Sequence, residues 1–440
     1  MLLRLKIKNF LSFCEETEFD MFPNTKRETF SHHVYATMDV PVLKQSAIYG
    51  ANGHGKSNFI KAVAFLREFV KRDDFLKTID WDDYIFQLTR EKSQTISFEI
   101  EFLYKNKYYL YSANISKKEV SEKLSLSGLG KADDELIFER NGKTIHSPFL
   151  QHEESARQLL ELNPNSSLLS LNMRFPVISK TAVKNAYDWF SEKTEVILID
   201  SNIVYLINLM SRKPEMLDFT NKVFEHIGIG VEKVNIGNTP FEKWATKARN
   251  ATEIQKIIDQ KNPTQDSQTI SQLQNKKNVL NVTVQKGVKT VQEFLFNQIG
   301  QAGFHKEMKI SAQSDGTVRL LTLIPALYWA MYEGKTIFVD EIDNSIHPNL
   351  MFLLLKYYAD NKTNGQLIFT THTTKLLNQQ ELMRPDEIWF AEKTDGHTQM
   401  YSLNDFRLHN TLNIENGYLD GRYGGVPIMA PMEQFEDVEA

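Results

Sequence analysis

The chain has 440 residues, 41% hydrophobic and 24% charged, enough for two or three domains around a large buried core. A net charge of −5 excludes a protein that coats nucleic acid over its whole surface, although a local basic patch stays open, and the single cysteine, Cys14, excludes an intrachain disulfide framework. No apolar run reaches the length of a membrane span, so the expectation is a cytoplasmic protein with no membrane partner.

Met1-Leu2-Leu3-Arg4-Leu5-Lys6-Ile7-Lys8 alternates like a strand and lacks the apolar core of a secretory leader. Residues 1–66 predict strand, loop, strand, phosphate loop and helix, with a polar, irregular excursion over 21–42. The apolar Ala47-Ile48-Tyr49 runs into Gly50-Ala51-Asn52-Gly53-His54-Gly55-Lys56-Ser57, which fits G-x-x-x-x-G-K-[ST], and Asn58-Phe59-Ile60-Lys61-Ala62-Val63 reads as the helix that follows. The glycines let consecutive backbone N–H groups curl around an anion at a helix N-terminus. Lys56 would reach the β- and γ-phosphates and the Ser57 hydroxyl would ligate magnesium.

Residues 94–146 alternate with period two, Ile96, Phe98, Ile100 and Phe102 on one face, Tyr109, Tyr111 and Ala113 after a Lys105-Asn106-Lys107 turn. A second hairpin, Leu136-Ile137-Phe138, turns at Asn141-Gly142. Residues 151–300 read as mainly helical, as at 156–162, 181–193 and 201–210. The stretch 250–289, rich in Gln, Asn, Lys and Thr and broken by Pro263, reads as a short helical hairpin or a lid. Sustained heptads are absent, so no long coiled-coil arm is expected. Neither His32-His33 nor His152-Glu153-Glu154 has metal-ligand spacing, and both read as surface residues.

From Met308 strand and helix alternate again. Gln313-Ser314-Asp315-Gly316-Thr317 opens a helix with Ser314 as a candidate N-cap, an arrangement that an ordinary helix start also gives. The apolar strand Thr336-Ile337-Phe338-Val339 ends in Asp340-Glu341, one carboxylate for a metal and one to polarise water. Gln366-Leu367-Ile368-Phe369-Thr370 ends at Thr371-His372-Thr373, where His372 would face a γ-phosphate. Together the phosphate loop and the acidic strand end read as a nucleotide hydrolase using ATP and Mg2+. The glycine- and tyrosine-dense segment from Asn416 to Pro427 reads as a structured loop with Arg422 as a phosphate or carboxylate partner, and the tail 433–439 is acidic.

The order of these motifs resembles the ABC-type ATPases of the SMC/RecF/OLD group: phosphate loop, insertion, signature, paired carboxylates and switch histidine. Leu5-Lys6-Ile7-Lys8-Asn9-Phe10-Leu11-Ser12-Phe13 and the Gly-x-Asn-Gly-x-Gly-Lys-Ser form of the loop share the likeness, which covers both ends of the chain and little of 151–300. It implies an α/β head of mixed sheet and helices, with an antiparallel β subdomain and a mainly helical insertion. The expected boundaries are 1–150, 151–305 and 306–440. By resemblance Gly50, Asn52, Gly53, His54, Gly55, Lys56, Ser57 and Asn58 bind ATP, while Ser57, Asp340 and the Q-loop candidate Gln87 hold the metal. Glu341 handles the attacking water and His372 senses the γ-phosphate. Ser314 and Gly316 match the signature, which acts in trans on a second subunit's nucleotide. Two departures stand out: Asp315 replaces a glycine common in relatives, and His347 replaces the aspartate of many SMC heads, as is usual in RecF- and OLD-like members.

Tyr418-Leu419-Asp420-Gly421-Arg422-Tyr423-Gly424, with Ser314-Asp315-Gly316-Thr317 and Asp340-Glu341-Ile342-Asp343, is most similar to the compact bacterial ATPases of phage-defence loci. Those include abortive-infection ATPases and the ATPase subunits of Septu, retron and PARIS systems. The resemblance implies a homo-oligomer, an ATP-dependent dimer or larger, that acts as sensor and scaffold. It would control a separately encoded effector such as an HNH or TOPRIM-like nuclease, with DNA or a phage protein as trigger. The alternatives are a RecF-like genome-maintenance clamp on DNA and a nucleotide-bound scaffold that barely turns over.

Overall fold

The computed structural model describes residues 1–36, 39–90, 93–201, 203–248, 251–261, 268–273, 279–285, 287–377, 381–407 and 413–426. Pro263, Pro427 and the acidic tail 433–439 lie outside them. The chain forms two compact units, one of Met1–Leu198, Trp329–Asp343 and Phe352–Ala440, the other of Ile199–Tyr328 with Asn344–Met351.

In the first unit a six-stranded sheet has the order Thr194–Ile197, Thr336–Val339, Gln366–Thr370, Gln45–Tyr49, Ile388–Thr394, His397–Ser402. The first five strands run parallel and the last is antiparallel. Central strands buried on both faces need continuous apolar runs, and Gln45–Tyr49, Thr336–Val339 and Gln366–Thr370 are buried at every position. Parallel pairing places Tyr49, Ile197, Val339 and Thr370 at one carboxyl edge, where open α/β sheets bind ligands. The helix Lys56–Lys71 leaves that edge and buries Phe59, Ile60, Val63 and Leu66.

A second sheet of seven antiparallel strands has the order Thr144–His146, Glu135–Asn141, Val120–Leu126, Lys107–Ser116, Thr95–Tyr104, Leu2–Lys8, Thr17–Asp20. Its alternation is the one legible in the sequence, and Lys105 and Asn106 take φ of 48° and 59°, as a two-residue type I′ turn requires. Phe10, from the loop after the first strand, meets Phe65 of the helix at 5.3 Å and Phe98 of the second sheet at 5.5 Å, so one apolar core serves both sheets.

The stretch 151–305 is helical only in part. Glu153–Leu162, Leu168–Arg174 and Thr181–Asp188 belong to the first unit, and Val204–Arg212, Pro214–Ile227 and Ala251–Lys261 to the second. Over the described residues of 250–289 the expected helical hairpin is corrected. After Ala251–Lys261 come Gln268–Leu273 and Val279–Gln285, strands of a five-stranded antiparallel sheet with Val231–Pro240, Val288–Ile299 and His305–Lys309. Leu280, Val282 and Val284 alternate into its buried face, a period-two pattern that outweighs the polar composition around it.

The surface reading of the histidines holds for His152 and His32 and fails for His33, which is buried beside Glu387. Among the described residues no helix is long and apolar enough to cross a membrane.

Candidate functional site

The phosphate loop turns through positive φ at Gly50, Gly53 and Gly55, and Gly55 caps the sixteen-residue helix Lys56–Lys71. Gly55 is irreplaceable on two counts. Its φ is 98°, and a side-chain carbon there would sit 2.1 Å from Thr398 Oγ1 and 2.8 Å from Ser12 Oγ. Those two hydroxyls, 2.7 Å apart, pin the loop: Thr398 Oγ1 donates to the His54 carbonyl at 3.0 Å and Asn58 Nδ2 donates to Ser12 Oγ at 2.8 Å. Asn58 therefore fastens the loop from beneath, while Asn52 and Gly53 are exposed at its tip.

Lys56 is 5% exposed and its Nζ donates to the Gly50 and Ala51 carbonyls at 2.7 and 3.1 Å. Burial holds its pKa down to about 8, against the pull of Glu341, Asp340 and Asp343.

Next to it runs a chain of hydrogen bonds. Ser57 Oγ donates to Asp340 Oδ1 at 3.0 Å, the Thr370 hydroxyl donates to the same oxygen at 2.7 Å, and Thr370 Oγ1 accepts the Glu341 N–H at 2.7 Å. Glu341 has a left-handed φ of 44°, a conformation costing a non-glycine residue on the order of 1–3 kcal/mol. The Thr370 hydroxyl thus bridges the Glu341 backbone and the Asp340 carboxylate. A hydroxyl beside a carboxylate is a hard oxygen donor set of the kind Mg2+ takes, so Ser57 and Asp340 fit the ion.

Asp343 completes the edge. Its Oδ2 accepts Thr373 Oγ1 at 2.6 Å and the His372 N–H at 3.4 Å, while its Oδ1 is buried without a hydrogen-bond partner. Desolvation and the nearby Lys56 ammonium lower the exposed His372 from the ordinary imidazole value, against Asp343, Glu341 and Asp340.

The glycine- and tyrosine-dense segment packs behind the loop. Tyr418 and Tyr423 stack on Phe390 at 5.4 and 6.0 Å, Tyr418 meets Tyr49 edge-on at 5.7 Å, and a side-chain carbon on Gly425 would come within 3.6 Å of Gly50 Cα. Arg422 is exposed.

The structure does not bring Gln87 to this group. It is exposed, and its amide donates to the Asp82 carbonyl at 2.9 Å. Ser314 and Gly316 belong to the second unit. Ser314 Oγ accepts the Thr317 N–H at 3.1 Å and so caps the helix Asp315–Tyr332, and a side-chain carbon on Gly316 would lie 2.6 Å from the Ser345 carbonyl. The sequence reading missed Thr370, Ser12 and Thr398. Only the position of Thr370, at the end of a strand paired with the Asp340 strand, gave a signal.

A family model described as "AAA domain, putative AbiEii toxin, Type IV TA system" matches residues 46–182 and 198–378. The chain belongs to this AAA-domain family. Its expected kinship with abortive-infection ATPases is met, and nucleotide binding and hydrolysis are properties of such an ATPase family. No curated protein matches the chain. Solved structures similar to this AAA-domain protein include an SMC head bound to the C-winged helix domain of ScpA (13% identity, 91% of this chain and 97% of that one, TM-score 0.48). The SMC head domain from Thermotoga maritima (13%, 91% and 98%, 0.42) is another. A third is the Smc head domain with an extended coiled coil bound to the C-terminal domain of ScpA derived from Pyrococcus furiosus (12%, 96% and 98%, 0.43).

Thr370→Val in this AAA-domain protein is expected to lower ATP turnover about ten- to a hundredfold through misplacement of Glu341. It also removes the hydrogen bonds that the Thr370 hydroxyl makes with the Glu341 N–H and the Asp340 carboxylate, for a stability loss of about 1–3 kcal/mol. Thr370→Ser restores both. Steady-state turnover and urea unfolding measure the two effects, and unchanged turnover in Thr370→Val would remove Thr370 from the site.

Proposed function

We propose that the chain is the ATP-hydrolysing sensor and scaffold subunit of a cytoplasmic anti-phage defence system, holding a separately encoded, nuclease-like toxic effector under nucleotide control. The observation that carries this reading is the linked set Ser57, Asp340, Thr370 and Glu341 beside Lys56, in a family whose description names a toxin and a toxin–antitoxin system.

Lys56 and the loop amides hold the β- and γ-phosphates, and Ser57 with Asp340 would hold Mg2+, which neutralises phosphate charge when bound. Glu341 orients the attacking water and takes its proton. A bond forms from the water oxygen to the γ-phosphorus as the bond to the β–γ bridging oxygen breaks, and ADP leaves with that electron pair. His372 presents one N–H to a γ-phosphate oxygen. Ser314, exposed at its helix start, and Gly316 act in trans on nucleotide bound to a second copy, so ATP joins two heads and hydrolysis parts them.

The test is native mass spectrometry of tagged Glu341→Gln protein, purified from its host with its neighbouring genes intact, in ATP and magnesium. A defined oligomer carrying a second protein supports the reading and names the partner. An ATP-dependent dimer that retains only DNA overturns it in favour of a genome-maintenance clamp.

A further inference from the structure

At the other end of the Gln366–Thr370 strand, away from the nucleotide residues, His32, His33 and Asp360 each bring one ligand atom to within 4.8 Å of the others. Asp360 ends the helix Pro348–Asp360, and the two histidines close the short helical turn Ser31–His33 in the irregular excursion after the second strand. The three residues share the first unit.

His33 is the informative member. Its side chain is 1% exposed, stacked on Phe30 at 4.9 Å, with Nδ1 2.9 and 3.2 Å from the two oxygens of fully buried Glu387. Glu387 Oε2 also accepts the Arg384 N–H at 2.7 Å, so the carboxylate is fixed in place. A carboxylate can only accept here, which makes Nδ1 the protonated nitrogen and leaves the lone pair of a neutral ring on Nε2. That Nε2 is buried and has no hydrogen-bond partner. A lone pair shut away from both water and a donor carries a desolvation penalty with no return from the protein itself. A carboxylate behind the far nitrogen of a histidine is the arrangement by which proteins fix the tautomer and orientation of a metal-ligating imidazole.

His32 Nε2 lies 3.3 Å from Asp360 Oδ1, and Lys356 takes the other oxygen, Oδ2, at 3.0 Å. Lys44, the other nearby cation, directs its ammonium to the Asn361 carbonyl at 3.2 Å. Ligands of a tetrahedral ion with bonds of about 2.0–2.1 Å stand about 3.4 Å apart. The separation here closes by rotation of His32 and Asp360, about half exposed, onto the fixed ring of His33.

We propose that His33, His32 and Asp360 bind a divalent transition-metal ion of the zinc type, which fastens the excursion after the second strand to the end of the helix Pro348–Asp360. Two imidazoles and one carboxylate select Zn2+ over Mg2+, whose ligands are oxygens, and a water fills the fourth position. The site is separate in chemistry from the Ser57–Asp340 pair.

The test uses the full chain, stripped with a chelator, exposed to Zn2+ with excess Mg2+, desalted and assayed for metal. Thermal unfolding is followed in parallel. The wild type is expected to retain one Zn2+ more per chain than either His32→Ala or Asp360→Asn, variants at exposed positions that leave the core intact. Zn2+ should raise the unfolding temperature of the wild type and leave both variants unmoved. Equal retention in wild type and variants, or none in the wild type, overturns the proposal. An unchanged unfolding temperature in the wild type overturns the fastening role.

Discussion

Lys56→Ala is expected to weaken ATP binding about a hundredfold, equivalent to about 3 kcal/mol, the upper range for a hydrogen bond to a charged group. The size follows from where the ammonium sits. A surface lysine would be worth little, whereas Lys56 is almost wholly buried at the head of a helix, and its Nζ holds the two carbonyls that begin the loop. Alanine removes the charge and frees both carbonyls, so circular dichroism and thermal unfolding accompany the titration. A folded variant with intact ATP affinity would refute the phosphate-loop assignment.

The depressed pKa adds a signature of its own. Above pH about 8 the free protein loses the Lys56 proton that the phosphates require. Binding must then take a proton up, and affinity falls by as much as tenfold per pH unit above that point. Titration calorimetry in buffers of different ionisation enthalpy reads the uptake, and Lys56→Arg abolishes it. Stability runs the opposite way. The folded value lies below the ordinary 10.5, so between about 8 and 10.5 the unfolded chain binds more protons and the contribution of Lys56 to stability rises with pH.

Lys56, Ser57 and the loop glycines were legible because the chemistry of gripping a phosphate is contained in eight consecutive residues. Asp340 and Glu341 were legible because an apolar strand that ends in two carboxylates has few other uses. What joins them was not. The Ser57–Asp340 bond spans 283 positions, and the Ser12 and Thr398 hydroxyls that seat the loop are 386 apart. A serine or threonine at a strand end is common, and only the parallel pairing of Thr336–Val339 with Gln366–Thr370 brings Thr370 beside Asp340. His33 misled for a related reason. It neighbours an exposed histidine, and the carboxylate that makes its burial tolerable lies 354 residues on. The β-sheet of the second unit was hidden by composition, since Asn, Gln, Lys and Thr around Leu280, Val282 and Val284 read as linker although the alternation was present. Gln87 was chosen by position alone, and the structure ties it to the Asp82 carbonyl.

Glu341→Gln is expected to leave ATP affinity within about twofold while lowering kcat about 10²- to 10⁴-fold, the range for loss of a general base. The substitution keeps the Glu341 N–H to Thr370 and leaves Lys56 and the loop glycines in place, removing one of the three carboxylate charges that act on Lys56. The side chain is shape-conserved, so the left-handed turn at φ 44° and the position of Asp340 also survive. What is lost is an oxygen able to accept a proton from water. This separates Glu341 from Thr370: the glutamine variant should match the wild type in urea unfolding, whereas Thr370→Val loses stability and turnover together. It also separates a working hydrolase from a nucleotide-bound scaffold. Single-turnover hydrolysis of pre-bound ATP is the deciding measurement, because it excludes effects on binding and product release. Equal rates for wild type and Glu341→Gln would mean that Glu341 is not the base.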